Sequence, residues 1–113
     1  MSIIAGVNGT VKIPDGVTCI AMYAFYGYEN LISAAIPDTV TLIEARAFSQ
    51  SGLREIVIPS SVKCMNGNYH FYQCPDLSNV TIENGISSIP YGSFGYCSSL
   101  VSIEIPDSVE TIS

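Results

Sequence analysis

The feature that most constrains this sequence is an Ile-Pro pair that returns at steps of 22 to 24 residues. A period of about 20 to 50 residues is typical of a solenoid, in which each coil buries its apolar face against its neighbours. The sequence therefore predicts a stack of four to five such coils. The repeats begin at Ile13, Ile36, Ile58, Ile82 and Ile105, and at Ile82 alone Glu replaces the Pro.

Six apolar columns keep in step with this pair, and each coil carries one Phe and one Leu at fixed places. The columns slip by only one residue, for example where Asn66-Gly67-Asn68 lengthens the third coil before its Phe. Chance would not hold so many columns in register. The Phe column consists of Phe25, Phe48, Phe71 and Phe94, and the Leu column of Leu31, Leu53, Leu77 and Leu100.

Each Leu opens an L-x-x-I-x-I segment, whose alternation of apolar and polar residues predicts a short strand with one face inward. Stacked coils would then form a parallel sheet. The Pro after each strand removes a backbone donor, and the Asp that often follows favours a turn. The V-x-x-I piece predicts a second, shorter extended segment, and the Phe motif a tight helical turn with its ring inside.

We expect a single domain over residues 1–113, with 1–12 as its N-terminal edge. Complete coils start near 13, 36, 58 and 82, and an incomplete coil starts at 105.

Composition excludes several classes of function. The chain has 113 residues, a formal charge of −6 and four basic residues that do not cluster, whereas nucleic acids and anionic membranes require a basic face. Pro, Asp and Gly interrupt every apolar run before it reaches the roughly 18 residues of a membrane helix. The N-terminus lacks the basic start and apolar core of a signal peptide.

The repeat pattern I-P-x-x-V-x-x-I-x-x-x-A-F-x-x-C-x-x-L-x-x-I-x-I-P, visible at 36–48 and 94–106, resembles the BspA-type leucine-rich repeat. The resemblance covers Val11 to Ile112. It implies a right-handed solenoid with short parallel strands on a concave face, and a protein of the cell surface or extracellular space that takes part in adhesion. The sequence departs from the motif where Tyr28 and Ser51 replace Cys and where His70 and Ser93 replace Ala.

The cysteines and the single histidine offer little chemistry. Cys74 and Cys97 share a column in adjacent coils, and we expect free, inward thiols because parallel side chains suit a disulfide poorly. Cys19 and Cys64 lie two coils apart and cannot bond to each other. A zinc site from Cys64, His70 and Cys74 lacks the paired C-x2-C spacing, and we predict no metal, cofactor or catalytic residue. His70 is expected to be partly buried beside the inserted loop.

Two surfaces and one edge remain as candidates for binding. Alternation along the strands exposes a mildly polar grid without an aromatic anchor, and Arg54 lies at its edge: Arg54, Glu55, Val57, Asn79, Thr81, Ser102 and Glu104. A second patch combines four tyrosines with an arginine, and Tyr23, Arg46 and Tyr69 could form a cation–π stack across three coils: Tyr23, Tyr26, Arg46, Tyr69 and Tyr72. The edge of the last coil carries Ile105, Val109 and Ile112.

The sequence therefore predicts a non-enzymatic protein-interaction module, and the resemblance implies that it acts in adhesion or binds host proteins. The expected partner is a protein, with no nucleic acid and no membrane insertion. The alternative is a structural unit that forms homo-oligomers by stacking through uncapped ends.

Overall fold

The computed structural model describes residues 9–101 and 103–112. No helix occurs within them, and therefore none that could cross a membrane. Nine short strands follow one another along the chain: β1 (Thr10–Lys12), β2 (Cys19–Ile20), β3 (Ser33–Ala35), β4 (Leu42–Ile43), β5 (Glu55–Ile58), β6 (Cys64–Met65), β7 (Asn79–Ile82), β8 (Ser88–Ile89) and β9 (Thr111–Ile112).

The strands pair in parallel across coils and confirm the solenoid. One four-stranded sheet has the order β1-β3-β5-β7, a three-stranded sheet has the order β2-β4-β6, and β8 pairs with β9. Each coil therefore adds one strand to the first sheet and one to a second series of extended segments, as the L-x-x-I-x-I and V-x-x-I patterns predict.

Register in the four-stranded sheet follows the predicted alternation. Glu55 lies opposite Asn79, and Val57 opposite Thr81, with all four side chains exposed. The residues between them are buried, because successive strand residues point to opposite faces. A further bridge joins Thr81 to Glu104, which continues the ladder into the fourth coil.

The core is organised around a stack of phenylalanine rings. Neighbouring ring centroids lie 5.1, 5.2 and 5.3 Å apart along the series Phe25, Phe48, Phe71 and Phe94, with interplanar angles of 8° or less. The first three rings are buried and Phe94 is partly buried. Burial of each ring contributes about 1.5–3 kcal/mol, so this column is a principal source of stability.

The segment around each Phe forms successive turns instead of the predicted helical turn. In coil 1, Tyr23, Phe25 and Gly27 donate their amides to carbonyls of the next coil, while the residues between them donate to carbonyls three residues back. Coils 2 and 3 repeat this pattern. A helix would direct every amide along its own axis, whereas here every second amide joins neighbouring coils.

This arrangement requires left-handed backbone two residues before and two residues after each Phe. The residues with positive φ in these positions are Tyr23, Gly27, Arg46, Gln50, Tyr69, Gln73, Gly92 and Tyr96, with φ between 56° and 75°. A non-glycine residue pays about 1–2 kcal/mol for this conformation, which the inter-coil hydrogen bonds and the buried Phe ring offset.

Candidate binding surfaces

The strand face consists of the outward side chains of the four-stranded sheet. Glu55, Val57, Asn79 and Thr81 are exposed on it, as is Glu104 in the next coil, while Ser102 lies outside the described residues. These described residues form straight ladders, and Arg54 is exposed at the edge of the face, directly before β5.

A shallow depression of about 400 Å³ lies on this face between β3, β5 and β7. Its exposed lining consists of Ala35, Glu55, Val57, Asn79 and Thr81, and no aromatic residue lines it. Protein interfaces draw most of their affinity from a few large, well-packed anchors such as Tyr, Trp and Arg. The depression therefore offers contact area without an anchor of this kind, and Arg54 at the edge of the strand face does not line it.

The predicted self-association edge is the outer side of the last coil. Ile105 and Ile112 are exposed, by 40% and 61%, whereas Val109 is partly buried and packs against the core. The amides of Gly92, Phe94 and Tyr96 have no backbone acceptor within 9–101 and 103–112, while the equivalent amides of coils 1 to 3 donate to the following coil. This edge thus presents both apolar side chains and backbone donors.

The tyrosine surface lies on the turns that flank the Phe column. We define it as Tyr23, Tyr26, Arg46, Tyr69, Tyr72, Tyr91 and Tyr96. Tyr69 contacts Tyr72 and Tyr91, with ring centroids 4.7 and 5.8 Å apart, and Tyr72 contacts Tyr96 at 5.4 Å. All three pairs pack edge to face, the geometry that aromatic quadrupoles favour, so four rings form one continuous cluster.

Arg46 joins this cluster from the preceding coil. Its guanidinium carbon lies 4.6 Å from the centroid of the Tyr69 ring, which is within cation–π range. Of the predicted stack of Tyr23, Arg46 and Tyr69, only the contact between Arg46 and Tyr69 is present among the described residues. Tyr23 instead packs edge to face on Tyr26 in its own coil, at 5.2 Å, because the Arg46 side chain extends toward the following coil.

Two glycines of coil 4 make room for the tyrosines of coil 3. A Cβ atom on Gly92 would lie 2.5 Å from the Tyr69 ring, and one on Gly95 would lie 2.9 Å from the Tyr72 ring. Real Cβ atoms do not approach so closely, so the two rings rest directly on glycine backbone. The glycines therefore fix where Tyr69 and Tyr72 lie.

Amide side chains border the rings. Gln50 donates from Nε2 to the Tyr26 hydroxyl and to Oε1 of Gln73, both at 3.0 Å. Burial and the neighbouring phenols of Tyr96 and Tyr69 raise the pKa of Tyr72, and Arg46 opposes them in part. The surface thus combines aromatic area with neutral hydrogen-bonding groups, and Arg46 is its only charged member.

Sequence reasoning identified five members of this surface and missed Tyr91 and Tyr96. These two are its most exposed tyrosines, at 60% and 75%. Each occupies a column in which no other coil has a tyrosine, so comparison of equivalent positions gave no signal. Their closeness in sequence to Phe94 could have revealed them, because the turns around Phe25 and Phe71 also carry tyrosines.

The cysteines are free, as predicted. Cys74 and Cys97 are buried and donate S–H to the carbonyls of Phe48 and Phe71, each at 3.1 Å. A hydrogen bond with Cys74, followed by burial, raises the pKa of Cys97, so its thiol stays protonated. Cys19 and Cys64 are separated by Leu42 in the three-stranded sheet, as the columns predicted.

The residues weighed for zinc are not brought together. Cys64 is exposed, while Cys74 and His70 are buried, and His70 uses Nε2 to bond the Asn66 carbonyl at 3.0 Å. The expectation that His70 is only partly buried is wrong, because its side chain is 0% exposed. Across residues 9–101 and 103–112, no group of three His, Cys, Asp or Glu side chains could hold a metal ion.

Solved structures with the same fold come from several bacteria. A leucine-rich repeat protein from Bacteroides ovatus shares 25% identity at a TM-score of 0.68, covering 91% of this chain and 33% of that one. A leucine rich cell surface protein from Faecalibacterium prausnitzii shares 30% identity at a TM-score of 0.65, covering 91% and 37%. A leucine-rich repeat protein from Eubacterium ventriosum, at 18% identity and a TM-score of 0.77, covers 99% and 39% and supports the fold alone.

The chain thus spans 33–39% of the length of these three proteins. A comparison with curated protein sequences finds no match. Residues 8–113 match the model of the BspA type leucine rich repeat region, which comprises six copies. The chain therefore belongs to the BspA-type leucine-rich repeat family, a family of non-enzymatic protein-interaction repeats.

Proposed function

We propose that the chain is a cell-surface adhesion module that binds a protein partner through the tyrosine surface. Family membership supports binding of a protein as its general role. The similar protein from Faecalibacterium prausnitzii is described as a cell surface protein, which supports a location outside the cell. The choice of surface rests on the geometry of the side chains.

The observation that carries the proposal is the continuous cluster in which the half-buried rings of Tyr69 and Tyr72 pack against the exposed rings of Tyr91 and Tyr96. Tyr supplies large amphipathic contact area at low conformational cost, because its side chain has only two rotatable angles. It is enriched at interfaces together with Arg. The cluster, Arg46 and the neighbouring glutamines give this surface the composition of a binding site, which the strand face lacks.

The surface is also ordered before any partner arrives. Tyr69 is confined by Arg46 on one side and by the Gly92 backbone on another, and Tyr72 rests on Gly95. A side chain that is already fixed loses less entropy on binding, so preorganised anchors contribute more to affinity. This favours the tyrosine surface over one of separate, mobile side chains.

The test is a binding assay of the purified chain against immobilised fibronectin, laminin and collagen by biolayer interferometry. We expect the double variant Tyr69→Ala/Tyr72→Ala to bind any captured protein at least about 10-fold more weakly, the size of a typical hot spot. The matched control is Arg54→Ala/Glu55→Ala/Asn79→Ala on the strand face, which should change affinity by less than about 3-fold.

Three results decide the proposal. Loss of binding in the tyrosine variant alone supports it, provided that urea unfolding shows the variant to be folded. Loss in the strand-face variant alone assigns binding to the strand face and contradicts the choice of surface. Failure of all three matrix proteins to bind contradicts adhesion to this class of partner.

Self-assembly is a second candidate function, favoured by the exposed apolar side chains of Ile105 and Ile112. Exposed apolar side chains that lie on one coil can pack against another copy of the chain. Light scattering would then show a mass that rises with concentration, and Ile112→Lys at the exposed edge would abolish the rise. A mass equal to one chain at every concentration would contradict self-assembly.

A further inference from the structure

His70 occupies a place where the other coils carry small side chains. The equivalent buried residues are Ala47 in coil 2 and Ser93 in coil 4. The His70 ring is fully buried, and its Nε2 lies 3.0 Å from the Asn66 carbonyl oxygen. Its Nδ1 is buried as well and has no hydrogen-bond partner among the described residues. Buried polar atoms without partners are rare, and each costs about 1–3 kcal/mol.

The loop that contains the extra residue of coil 3 provides the carbonyl that His70 contacts. The loop Asn66-Gly67-Asn68 turns at Gly67, where φ is 82° and where a Cβ would lie 2.6 Å from that of Ala45. The loop therefore presses closely on coil 2. In coil 4, Ser93 makes the analogous bond from its hydroxyl to the Pro90 carbonyl at 2.8 Å. His70 thus acts as a larger, titratable version of a contact that the fold already uses.

The segment held by His70 supports the tyrosine surface on both sides. The Asn68 carbonyl accepts a bond from the amide of Arg46 at 3.2 Å, and the His70 carbonyl accepts one from Phe48 at 2.9 Å. The amide of Tyr69 donates to the Tyr91 carbonyl at 3.2 Å. Any opening of this segment therefore disturbs the link between coils 2, 3 and 4 at the point where Arg46 meets Tyr69.

Protonation of the imidazole in this place is unfavourable. Burial lowers the pKa of His70, and the Asn66 carbonyl, with a smaller effect of the Ile43 backbone, opposes it in part. The Ile43 backbone affects the pKa without meeting hydrogen-bond geometry at Nδ1, so Nδ1 stays without a partner among the described residues. No charged side chain in the described part of the chain contributes to the shift. The titratable groups on the elements packed around the ring are Glu44 and Arg46 in coil 2, Cys64, Tyr69 and Tyr72 in coil 3, and Tyr91 in coil 4.

We propose that His70 is an acid-sensitive latch: when the surroundings become acidic, residues 66–72 open and the tyrosine surface loosens. The closed segment holds a neutral imidazole, while an open segment exposes it to water, where it binds a proton below about pH 6.5. Acidification therefore favours the open form, and the effect vanishes above neutral pH. The consequence for a partner rests on the proposed function, but the opening itself does not.

Hydrogen–deuterium exchange of the free chain tests the latch without any partner. After correction for the intrinsic pH dependence of exchange, we expect the opening of residues 66–72 to rise by up to about 30-fold between pH 7.5 and pH 5, as protonation of an exposed imidazole predicts. The strand Glu55–Ile58 serves as the internal reference and should rise much less. Ring signals of Tyr69 and Tyr72 in NMR spectra should broaden or shift over the same range.

Two variants provide the control, because their residues occur at the same place in other coils. His70→Ala copies coil 2 and His70→Ser copies coil 4, so both should fold, and neither should show the acid-dependent rise. An equal rise in either variant, or an unchanged opening of 66–72 in the parent chain, would overturn the latch. Neither result would affect the proposed binding surface, which is tested at neutral pH.

Discussion

The strand face and the tyrosine surface are built on the same coils, but their exposed residues are fixed in different ways. On the strand face, each coil repeats one extended segment, and paired residues such as Glu55 and Asn79 form straight ladders. On the tyrosine surface, each coil passes through two left-handed residues, and the side chains there differ from coil to coil.

This contrast shows where such a repeat can vary without losing its fold. Strand positions must keep their alternation, since a slip by one residue would turn the whole buried set outward. The turn positions are fixed by backbone hydrogen bonds that involve no side chain, so Tyr23, Arg46, Tyr69 and Gly92 can all occupy one column. Specificity is therefore easier to build on the turns than on the strands.

We expect the largest effect from a substitution in the Phe stack, which supports both the strand face and the tyrosine surface. Phe48→Ala leaves a cavity between rings that are now 5.1 and 5.2 Å from Phe48, and should destabilise the fold by about 3–5 kcal/mol. Urea unfolding followed by circular dichroism measures the loss. Val57→Ala on the strand face is the control and should cost less than about 1 kcal/mol, because Val57 is half exposed. Equal losses would show that the Phe stack is not the common support.

We expect the second-largest effect from a substitution that disturbs the tyrosine surface and leaves the strand face unchanged. Gly92→Ala places a methyl group against the Tyr69 ring and strains a residue whose φ is 68°, so we expect a loss of about 2–3 kcal/mol. Gly27→Ala is the matched control, because it has a φ of 75° but nothing within 4 Å of the added methyl. Gly27→Ala should lose about 1–2 kcal/mol of stability, because it adds only the backbone strain. If both variants unfold at the same urea concentration, the ring does not rest on Gly92.

The smallest effect concerns the single charge on the tyrosine surface. Arg46→Ala removes the contact with the Tyr69 ring and should cost about 0.5–1 kcal/mol, whereas Arg46→Lys should retain part of it. Arg54→Ala on the strand face serves as the comparison and should fall within about 0.5 kcal/mol of the parent. A loss in Arg54→Ala as large as that in Arg46→Ala would remove the distinction between the two arginines.

Much of the fold could be predicted from the sequence, because inward positions repeat and must remain apolar. The Phe and Leu columns, the parallel pairing and the exposed partners of the strand face all follow from one period and from alternation. The Cys19, Leu42 and Cys64 column was predicted for the same reason, and the structure pairs these residues as expected.

The candidate site could be predicted only in part, since it depends on features that do not repeat. Nothing in the residue types Tyr23 or Arg46 indicates a left-handed backbone, which here is imposed by bonds to the next coil. The full burial of His70 was not predicted either. The other residues in its column are Ala and Ser, and these small side chains do not show that the position can enclose an imidazole ring. Tyr91 and Tyr96 join the cluster through contacts with the previous coil that no single column records.

The measurement that tests the central claim most directly is hydroxyl-radical footprinting of the chain with and without a captured matrix protein at neutral pH. Tyr91 and Tyr96, the most exposed members of the tyrosine surface, should become protected, while Val57 on the strand face should react as before. Protection of Val57 with unchanged reactivity of the two tyrosines would contradict the account and assign binding to the strand face.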